Sequence, residues 1–411
     1  SSRSLSSAAG AKDRVVLVDG CRTPFHPSGT HFQNYIGQQL GRFAIKGLIS
    51  RTGIDPSIID QVVYGTVIQE VRTSNIAREA ALGAGIPDSV PAHTVTMACI
   101  SANQAITTGA ASILSGQADI VLAGGVETMS DVPIRFSRNL RQRMLASRKA
   151  RGFGDYLKLL KGISLKDLAP EAPAIAEFST GEVMGHSSDR LASRWGVTRK
   201  EQDEFALRSH HNAARATKEG ILAKEIVPVD GIQEDTGVRG DSTYEKLSSL
   251  KPAFVKPHGT HTAANSSFLT DGASAVLIMR ESKARELGFE PLAAIKDWMF
   301  VSQDPKEELL LGPAYAISRV LARNNLKQSQ VAVWELHEAF AGQVLSNLRA
   351  LESEKFATEQ AKVAKAVGSV DMAKINTLGG SLSIGHPFGA TGGRIITTTA
   401  NRMIAENAEY G

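Results

Sequence analysis

Apolar runs alternate with segments of helical spacing through the first third of the chain. Each run is too uniformly apolar for a sheet with one face in water, so we expect strands that are buried on both sides. The predicted strands are residues 14–20, 61–67, 92–97 and 119–125, and the predicted helices are 37–50, 74–83 and 101–114. This alternation is typical of an α/β fold with a covered, mainly parallel sheet.

The pattern changes between about residues 130 and 260, where charged residues increase and helical spacing dominates. The clearest helix begins at Thr198, with Glu201 placed to complete a capping box, and it ends at Gly220. Strand-like sequence resumes at Asp271. We therefore predict an N-terminal unit over 12–290 that is interrupted by an inserted loop domain at about 130–260.

A second α/β unit is predicted over 291–411. The expected strands are 292–300 and 330–336, the expected helices are 312–323 and 392–404, and a charged linker is expected at 352–367. In both units a strand ends in a turn that leads into a helix of small residues, which indicates an internal duplication. The sequence stops where the matching strand of the second unit would begin, so we expect that unit's last strands to be missing from it.

Composition narrows the possible classes of protein. The 411 residues are 42% apolar and 21% charged, with a net charge of +4 and no basic and aromatic interleaving typical of a nucleic-acid groove. Two cysteines give neither a disulfide framework nor a zinc site. The serine-rich residues 1–7, which contain Arg3 and no acid, fit either the tail of an organellar transit peptide or a disordered leader.

Cys99 lies at the predicted turn between the strand 92–97 and the helix 101–114. The unpaired N–H groups and positive dipole of a helix N-terminus stabilise a thiolate, so we expect a lowered pKa and a nucleophile. The alternative is a buried structural cysteine, which is the commoner role of a free thiol.

Residues 135–166 form a basic stretch, with ten Lys and Arg and the single acid Asp155. Leucine, methionine and tyrosine are interspersed among them. Such a segment either lies on an anionic membrane surface, docks a partner or forms a solvated charged helix.

Several motifs together resemble the thiolase family from about residue 13 to the end of the chain. They are Arg22-Thr23-Pro24, the Cys99 turn, Gly124 to Ser130, Glu201-Gln202-Asp203 with Ser209-His210, Gly259 to Gly272, His337 to Phe340, and Gly385-His386-Pro387. Most thiolases have Asn where this chain has His337, and that difference, with the basic insertion, indicates the trifunctional subgroup.

The resemblance implies a 3-ketoacyl-CoA thiolase of fatty-acid β-oxidation that cleaves long-chain substrates. Cys99 would carry the acyl group as a thioester, and His386 would be its base. His386 and a water positioned by the family's Asn, which is His337 here, would stabilise enolate charge on the substrate oxygen. Coenzyme A would be a co-substrate, with no permanently bound cofactor and no metal. The family's coenzyme A contacts fall on Met184, Ala264 and Ser267.

One departure from the family concerns a second cysteine, which protonates the leaving enolate and activates the incoming coenzyme A. In thiolases it lies on the strand that would follow residue 411, and the other cysteine of this chain, Cys21, precedes Cys99. We therefore expect slow turnover unless further residues follow.

The resemblance also implies partners and a location. We expect a homodimer, a large α-subunit with hydratase and dehydrogenase activities, and a mitochondrial location on the matrix side of the inner membrane. No nucleic-acid partner is expected.

Two other functions remain open. A ketoacyl-synthase-like condensing enzyme would use Cys99, His337 and His386 and would decarboxylate a malonyl thioester without added coenzyme A. A scaffold subunit would retain its function after Cys99→Ser.

Overall fold

The computed structural model describes residues 13–173 and 176–411, so the serine-rich residues 1–7 lie outside the described part. Its strands are β1 (Val15–Arg22), β2 (His26–Pro27), β3 (Gln61–Gly65), β4 (Ala92–Val95), β5 (Ile120–Glu127), β6 (Thr270–Arg280) and β7 (Ala293–Ile295). The four strands expected in the first third are confirmed, although β1 continues to Arg22 instead of ending at residue 20.

The helices confirm most of the expected pattern. They are α1 (Gly37–Thr52), α2 (Ile76–Gly83), α3 (Ser101–Leu114), α4 (Arg138–Ser147), α5 (Phe153–Leu160), α6 (Met184–Arg194), α7 (Arg199–Lys218), α8 (Tyr244–Ser248), α9 (Glu281–Glu286), α10 (Gly312–Arg323), α11 (Ala341–Glu352) and α12 (Thr391–Ala405). The capping box of α7 is present, because the Thr198 N–H donates to Glu201 Oε2 at 2.7 Å and the Glu201 N–H donates to Thr198 Oγ1 at 3.3 Å.

The seven strands of the described residues form one mixed sheet. Its order is β4-β3-β5-β6-β1-β7, with β2 paired to β6. The β4–β3 and β3–β5 pairs are parallel, whereas the β5–β6, β6–β1 and β1–β7 pairs are antiparallel. The expectation of a mainly parallel sheet is therefore wrong in detail. Strand β6 returns from the long insertion and enters between β5 and β1, in the opposite direction to both.

Helices cover both faces of this sheet, as the uniformly apolar strands predict. On one face, α1 and α2 pack through Leu40, Ala44 and Ala80 against strand residues such as Tyr64. On the other face, α3 packs through Ala105 and Ile106, and α12 adds Ala400. The two helices that follow the motif turns, α3 and α12, therefore lie together on one face of the sheet.

The second half departs furthest from the sequence-based expectation. The strand expected at 292–300 is only three residues long and pairs with β1 of the first sheet. The segment 330–336 makes only isolated bridges, from Val331 to Tyr410 and from Trp334 to Ile375. A strand needs a neighbour that satisfies its backbone groups, and the described residues provide one here only at single positions. Within the expected charged linker, Phe356–Ala361 forms a π-helical turn.

None of the helices in the described residues combines the length and apolar character that a membrane span needs.

A buried charge network joins β1, the segment after α7 and α12. The Arg22 guanidinium donates to both carboxylate oxygens of Asp235, at 2.6 and 2.8 Å, and lies 3.9 Å from Glu225. Glu225 in turn accepts hydrogen bonds from Thr398 and Asn401 of α12, at 2.9 and 3.2 Å. Because each buried charge faces an opposite one, the network positions α12 against β1 without an unpaired ion.

Asp235→Ala should destabilise the protein severely. The change leaves the Arg22 guanidinium, 1% exposed, with only the more distant Glu225 as counter-ion. Breaking one side of a buried pair costs about 3–5 kcal/mol. Urea unfolding followed by tryptophan fluorescence should show a large fall in the midpoint.

Glu286→Ala is the matched control. It breaks the Lys283–Glu286 pair, whose carboxylate is 64% exposed. Exposed pairs contribute little, so the midpoint should hardly move. An equal shift for both variants would contradict a structural role for the Arg22 network.

Candidate active site

The turn that carries Cys99 is short and tightly hydrogen-bonded. Strand β4 ends at Val95, and α3 begins at Ser101. Ser101 Oγ accepts from the Met97 N–H at 2.8 Å and donates to the Ala98 carbonyl at 2.7 Å. Ala98 has a φ of +45°, a left-handed conformation that costs a non-glycine residue about 1–2 kcal/mol. The turn holds Cys99 half-buried directly before the helix.

The pKa of the Cys99 thiol is shifted in the opposite direction to the one expected. Burial raises it to about 12, the Glu127 carboxylate raises it further, and a backbone N–H lowers it only in part. The expectation of a lowered pKa is therefore wrong for the resting protein, because desolvation outweighs the helix N-terminus. Cys99 rests as a thiol and needs a base before it can act as a nucleophile.

Glu127 lies between the loop that follows β3 and the turn that carries His386. This carboxylate ends β5, is buried, and accepts from the backbone N–H groups of Val67, Ile68 and Gly389, all at 3.0 Å. Burial nevertheless raises its pKa to about 7. Glu127 belongs to the motif Gly124 to Ser130 but was not singled out within it, although an acid at the end of an apolar strand is a recognisable signal.

His386 is buried in the turn before α12. Its backbone N–H donates to Thr270 Oγ1 at 2.9 Å, and its Nδ1 lies 2.7 Å from Thr391 Oγ1. Its Nε2 has no partner among the described residues. Burial, with His337 and Arg394 nearby, holds its pKa well below the usual range. A neutral imidazole with a free ring nitrogen is thus available at this position.

His337 lies directly beside His386, with ring centroids 4.1 Å apart. Its Nδ1 is 3.0 Å from Ser381 Oγ, and its Nε2 also lacks a partner in the described chain. Burial lowers its pKa to about 3, and the Arg394 charge acts in the same direction. The structure therefore brings together two of the predicted residues. Their hydrogen bonds go to hydroxyl groups. The Glu127 charge, which raises the pKa of Cys99, accepts from the Gly389 N–H in the turn that carries His386.

Glu338 anchors the segment that carries His337. It accepts from Ser209 Oγ and Asn376 Nδ2, both at 2.7 Å, and from the Leu382 N–H at 3.2 Å. These bonds tie the segment to α7 and to the glycine-rich turn, so the His337 backbone cannot move independently of either.

The residues expected to contact coenzyme A lie on elements that approach Ala339 and Phe340. The Ser267 N–H donates to the Ala339 carbonyl at 2.9 Å, and Ala264 lies three residues earlier in the same loop. Met184 begins α6, whose next residue packs on Phe254, and the Phe254 ring meets Phe340 edge-on at 5.7 Å. The three residues thus lie on elements that converge beside His337.

A cleft of about 700 Å³ lies next to these elements, between α6 and residues 255–260. Asp189 and His258 are among its lining residues. In the described part of the chain, no cluster of three or more His, Cys, Asp or Glu has an arrangement that could hold a metal ion.

Two family models match the chain one after the other. Residues 15–282 match the family model "Thiolase, N-terminal domain", and residues 289–411 match "Thiolase, C-terminal domain". The chain is 54% identical over 402 residues to the human "Trifunctional enzyme subunit beta, mitochondrial", an alignment that covers 97% of this chain and 84% of that protein.

A second relative and a solved structure also point to the thiolase family. The chain is 55% identical over 403 residues to a Caenorhabditis elegans "Probable 3-ketoacyl-CoA thiolase", covering 96% of this chain and 90% of the relative. The crystal structure of human mitochondrial 3-ketoacyl-CoA thiolase superposes with a TM-score of 0.81 at 28% identity, over 96% of this chain and 93% of that one.

The pH dependence of Cys99 alkylation should report its raised pKa. Only the thiolate reacts with iodoacetamide, so the rate should rise about tenfold per pH unit between roughly pH 7 and 9 without levelling off. Glu127→Gln removes the neighbouring negative charge and should increase the rate at every pH in that range. Cys99→Ser should abolish labelling, since Cys21 is only 1% exposed. A rate that reaches its plateau near pH 7 would mean that the thiol pKa is not raised.

Proposed function

The chain belongs to the thiolase family, and we propose that it cleaves long-chain 3-ketoacyl-CoA with coenzyme A through an acyl-Cys99 intermediate. The observation that carries this proposal is the pair of adjacent neutral imidazoles, His337 and His386, each with a buried and unpartnered Nε2 in the described structure. Thiol chemistry on a ketone needs a base for the sulfur and donors for the developing oxyanion, and this pair offers both.

The first half of the reaction uses Cys99 and His386. His386 Nε2 takes the thiol proton as the sulfur attacks the 3-keto carbon, and the bond between C2 and C3 then breaks. The acyl group remains on Cys99 as a thioester, while the departing acetyl-CoA enolate gains at carbon the proton that His386 took from the thiol. The Cys99 thiol and the His386 imidazole are both neutral at rest. The proton therefore moves from Cys99 to His386 only when the substrate is bound.

Charge on the substrate's thioester oxygen must be stabilised as the enolate forms. His386, once protonated, and His337 lie side by side for this purpose, in a buried site where hydrogen bonds to charge are strong. The Cys99 N–H serves the other oxyanion, on the former ketone oxygen. In the second half-reaction His386 takes the proton of the coenzyme A thiol as its sulfur attacks the acyl-Cys99 carbonyl. The shortened acyl-CoA leaves, and the proton returns to the Cys99 sulfur.

Coenzyme A is assigned to the loop that holds Ala264 and Ser267, together with Met184. This loop is pinned to the His337 segment by the Ser267–Ala339 and Ala341–Asn265 backbone bonds, at 2.9 and 3.0 Å. A pantetheine arm that crosses the loop is thereby directed toward the two histidines. No tightly bound cofactor is needed for this chemistry.

Intact-mass spectrometry tests the first half-reaction directly. Incubation with a long-chain 3-ketoacyl-CoA, without free coenzyme A, should add one acyl group to the wild-type chain and release acetyl-CoA. Cys99→Ser should show no adduct, and His386→Ala should slow its formation by about 10²–10⁴-fold. Absence of an adduct on the folded wild-type chain would overturn the proposal.

Incubation with a malonyl thioester distinguishes a thiolase from the condensing-enzyme alternative. That enzyme would release carbon dioxide from a malonyl thioester in the absence of coenzyme A, whereas a thiolase would not. The family matches favour thiolysis.

From the name of the human relative we propose a location and partners for this chain. The chain acts in mitochondria with a large α-subunit, on the matrix side of the inner membrane, and forms a homodimer. Strand β4 ends the sheet order of the described residues, and Met97 and Ile100 beside it are 40% and 42% exposed. An open sheet edge flanked by exposed apolar side chains is suited to pairing with a second copy.

We assign contact with the inner membrane to the basic segment 135–166. Helices α4 and α5 form a hairpin in which Arg143 Nη1 donates to the carbonyls of Leu159 and Lys161, at 2.7 and 2.6 Å. The hairpin exposes large apolar side chains, among them Phe153 at 79% and Leu160 at 64%. Apolar side chains beside exposed cations match the boundary of an anionic lipid surface.

Replacing Lys149, Lys158 and Lys161 by Glu should weaken sedimentation with cardiolipin-containing vesicles. All three residues are exposed, and Arg143, which holds the hairpin, is untouched. Each basic residue contributes about 1 kcal/mol near an anionic surface, so binding should fall by at least tenfold. Phosphatidylcholine vesicles are the control lipid. Unchanged vesicle binding with impaired α-subunit assembly would assign the segment to the partner instead.

A further inference from the structure

We propose that Ser381, itself held by Arg394, fixes the neutral imidazole of His337 in the tautomer that carries its proton on Nε2. His337 then presents a permanent hydrogen-bond donor beside His386. The use of that donor for the substrate oxygen rests on the proposed thiolase function, whereas the tautomer itself does not.

The tautomer of His337 is assigned from the hydrogen-bond donors and acceptors around the Ser381 hydroxyl. Ser381 is fully buried, and its Oγ lies 3.0 Å from His337 Nδ1 and 3.4 Å from Arg394 Nη2. A guanidinium can only donate, so Arg394 uses one acceptor position of the hydroxyl. If His337 Nδ1 also donated, the Ser381 proton would have no acceptor among the described residues. A buried donor without an acceptor is costly, so the hydroxyl donates to Nδ1 and the ring proton resides on Nε2.

His386 has the opposite arrangement. Thr391 Oγ1 donates to the Pro387 carbonyl at 3.1 Å, one turn back, and lies 2.7 Å from His386 Nδ1. We assign the threonine proton to that carbonyl because His386 needs a lone pair on Nε2 to act as the base. The threonine oxygen then accepts the Nδ1 proton. The two neighbouring imidazoles therefore differ in function although they are the same residue type. His337 donates to a ligand, and His386 accepts a proton.

Tautomer rather than charge decides what His337 offers. Burial and Arg394 lower its pKa to about 3, so the ring is neutral over the physiological range. A neutral histidine has one donor nitrogen and one acceptor nitrogen, and an exchange between them would turn a lone pair toward the substrate oxygen. Ser381 is thus a positioning residue, which acts on substrate through His337.

The tautomer is measurable without any activity. In the full chain labelled with ¹⁵N-histidine, long-range ¹H–¹⁵N spectra distinguish protonated from bare ring nitrogens, and His337→Asn identifies the His337 signals. We expect protonated Nε2 and bare Nδ1 for His337, and the reverse for His386. A protonated Nδ1 on His337 in the wild-type chain would overturn the proposal. Loss of Cys99 acylation with the expected tautomer would instead contradict only the proposed function.

A double-mutant cycle tests the role of Ser381 in acylation. Ser381→Ala should slow the formation of acyl-Cys99 by about 10–100-fold at saturating substrate, with little change in the half-saturating concentration. An Asn side-chain amide has no tautomers, so in the His337→Asn background the same change should cost less than about twofold. An equal loss in both backgrounds would show that Ser381 is merely structural and would overturn the proposed role.

Ser383→Ala is the matched control. Its hydroxyl is buried in the same turn, but it contacts Ser209 Oγ and the Gly380 carbonyl rather than an imidazole. It should leave the acylation rate and both histidine spectra unchanged. If Ser381→Ala does not fold, Ser381→Thr retains the hydroxyl and should retain both readouts, and the wild-type spectrum still decides the tautomer.

Discussion

The candidate site depends on a close backbone approach between the end of β5 and the turn that precedes α12. A side chain on Gly125 would overlap the Gly389 carbonyl, and a Cβ on Gly389 would lie 2.6 Å from the Val126 carbonyl. Only glycine permits this approach. It brings the Gly389 N–H within hydrogen-bond distance of Glu127 and so places the His386 turn beside the sheet edge that leads to Cys99.

Desolvation then sets the chemistry of every group in this region. It raises the pKa of the Cys99 thiol and of Glu127, and it lowers the pKa of both histidines. Cys99 and both histidines are therefore neutral at rest, so hydrogen-bond direction matters more than charge among these three. Charge is held one layer further out, where Arg394 faces Glu335 at 3.7 Å. That arrangement keeps the imidazoles neutral while the surrounding network remains paired.

The insertion between β5 and β6 combines two different kinds of surface. Helix α7 contributes Ser209 to the Glu338 network and is packed into the body of the protein. Helices α4 and α5 bury none of their residues and expose both cations and large apolar side chains. The first part therefore supports the site, and the second part is available for a membrane or a partner. The same inserted segment thus connects the chemistry to its proposed location.

The sequence by itself determined the local elements, because apolar runs, capping residues and glycine turns act over a few positions. Helix α3 has the bounds that its spacing predicts, and α7 begins at the Thr198 cap. The motifs also identified the family and singled out Cys99, His337 and His386 as candidate catalytic residues. These signals are local in the sequence, so they can be read without knowledge of long-range contacts.

Only the tertiary structure decided which way the strands run, what burial does to each pKa, and which hydroxyl faces which imidazole. Strand β6 pairs across more than a hundred residues of insertion, and no local pattern encodes its direction. The pKa of Cys99 depends on solvent exclusion by distant segments, which here outweighs the local helix N-terminus. The tautomers depend on Ser381 and Arg394, which meet His337 only in the folded chain, since hydrogen-bond partners are set by packing and not by spacing.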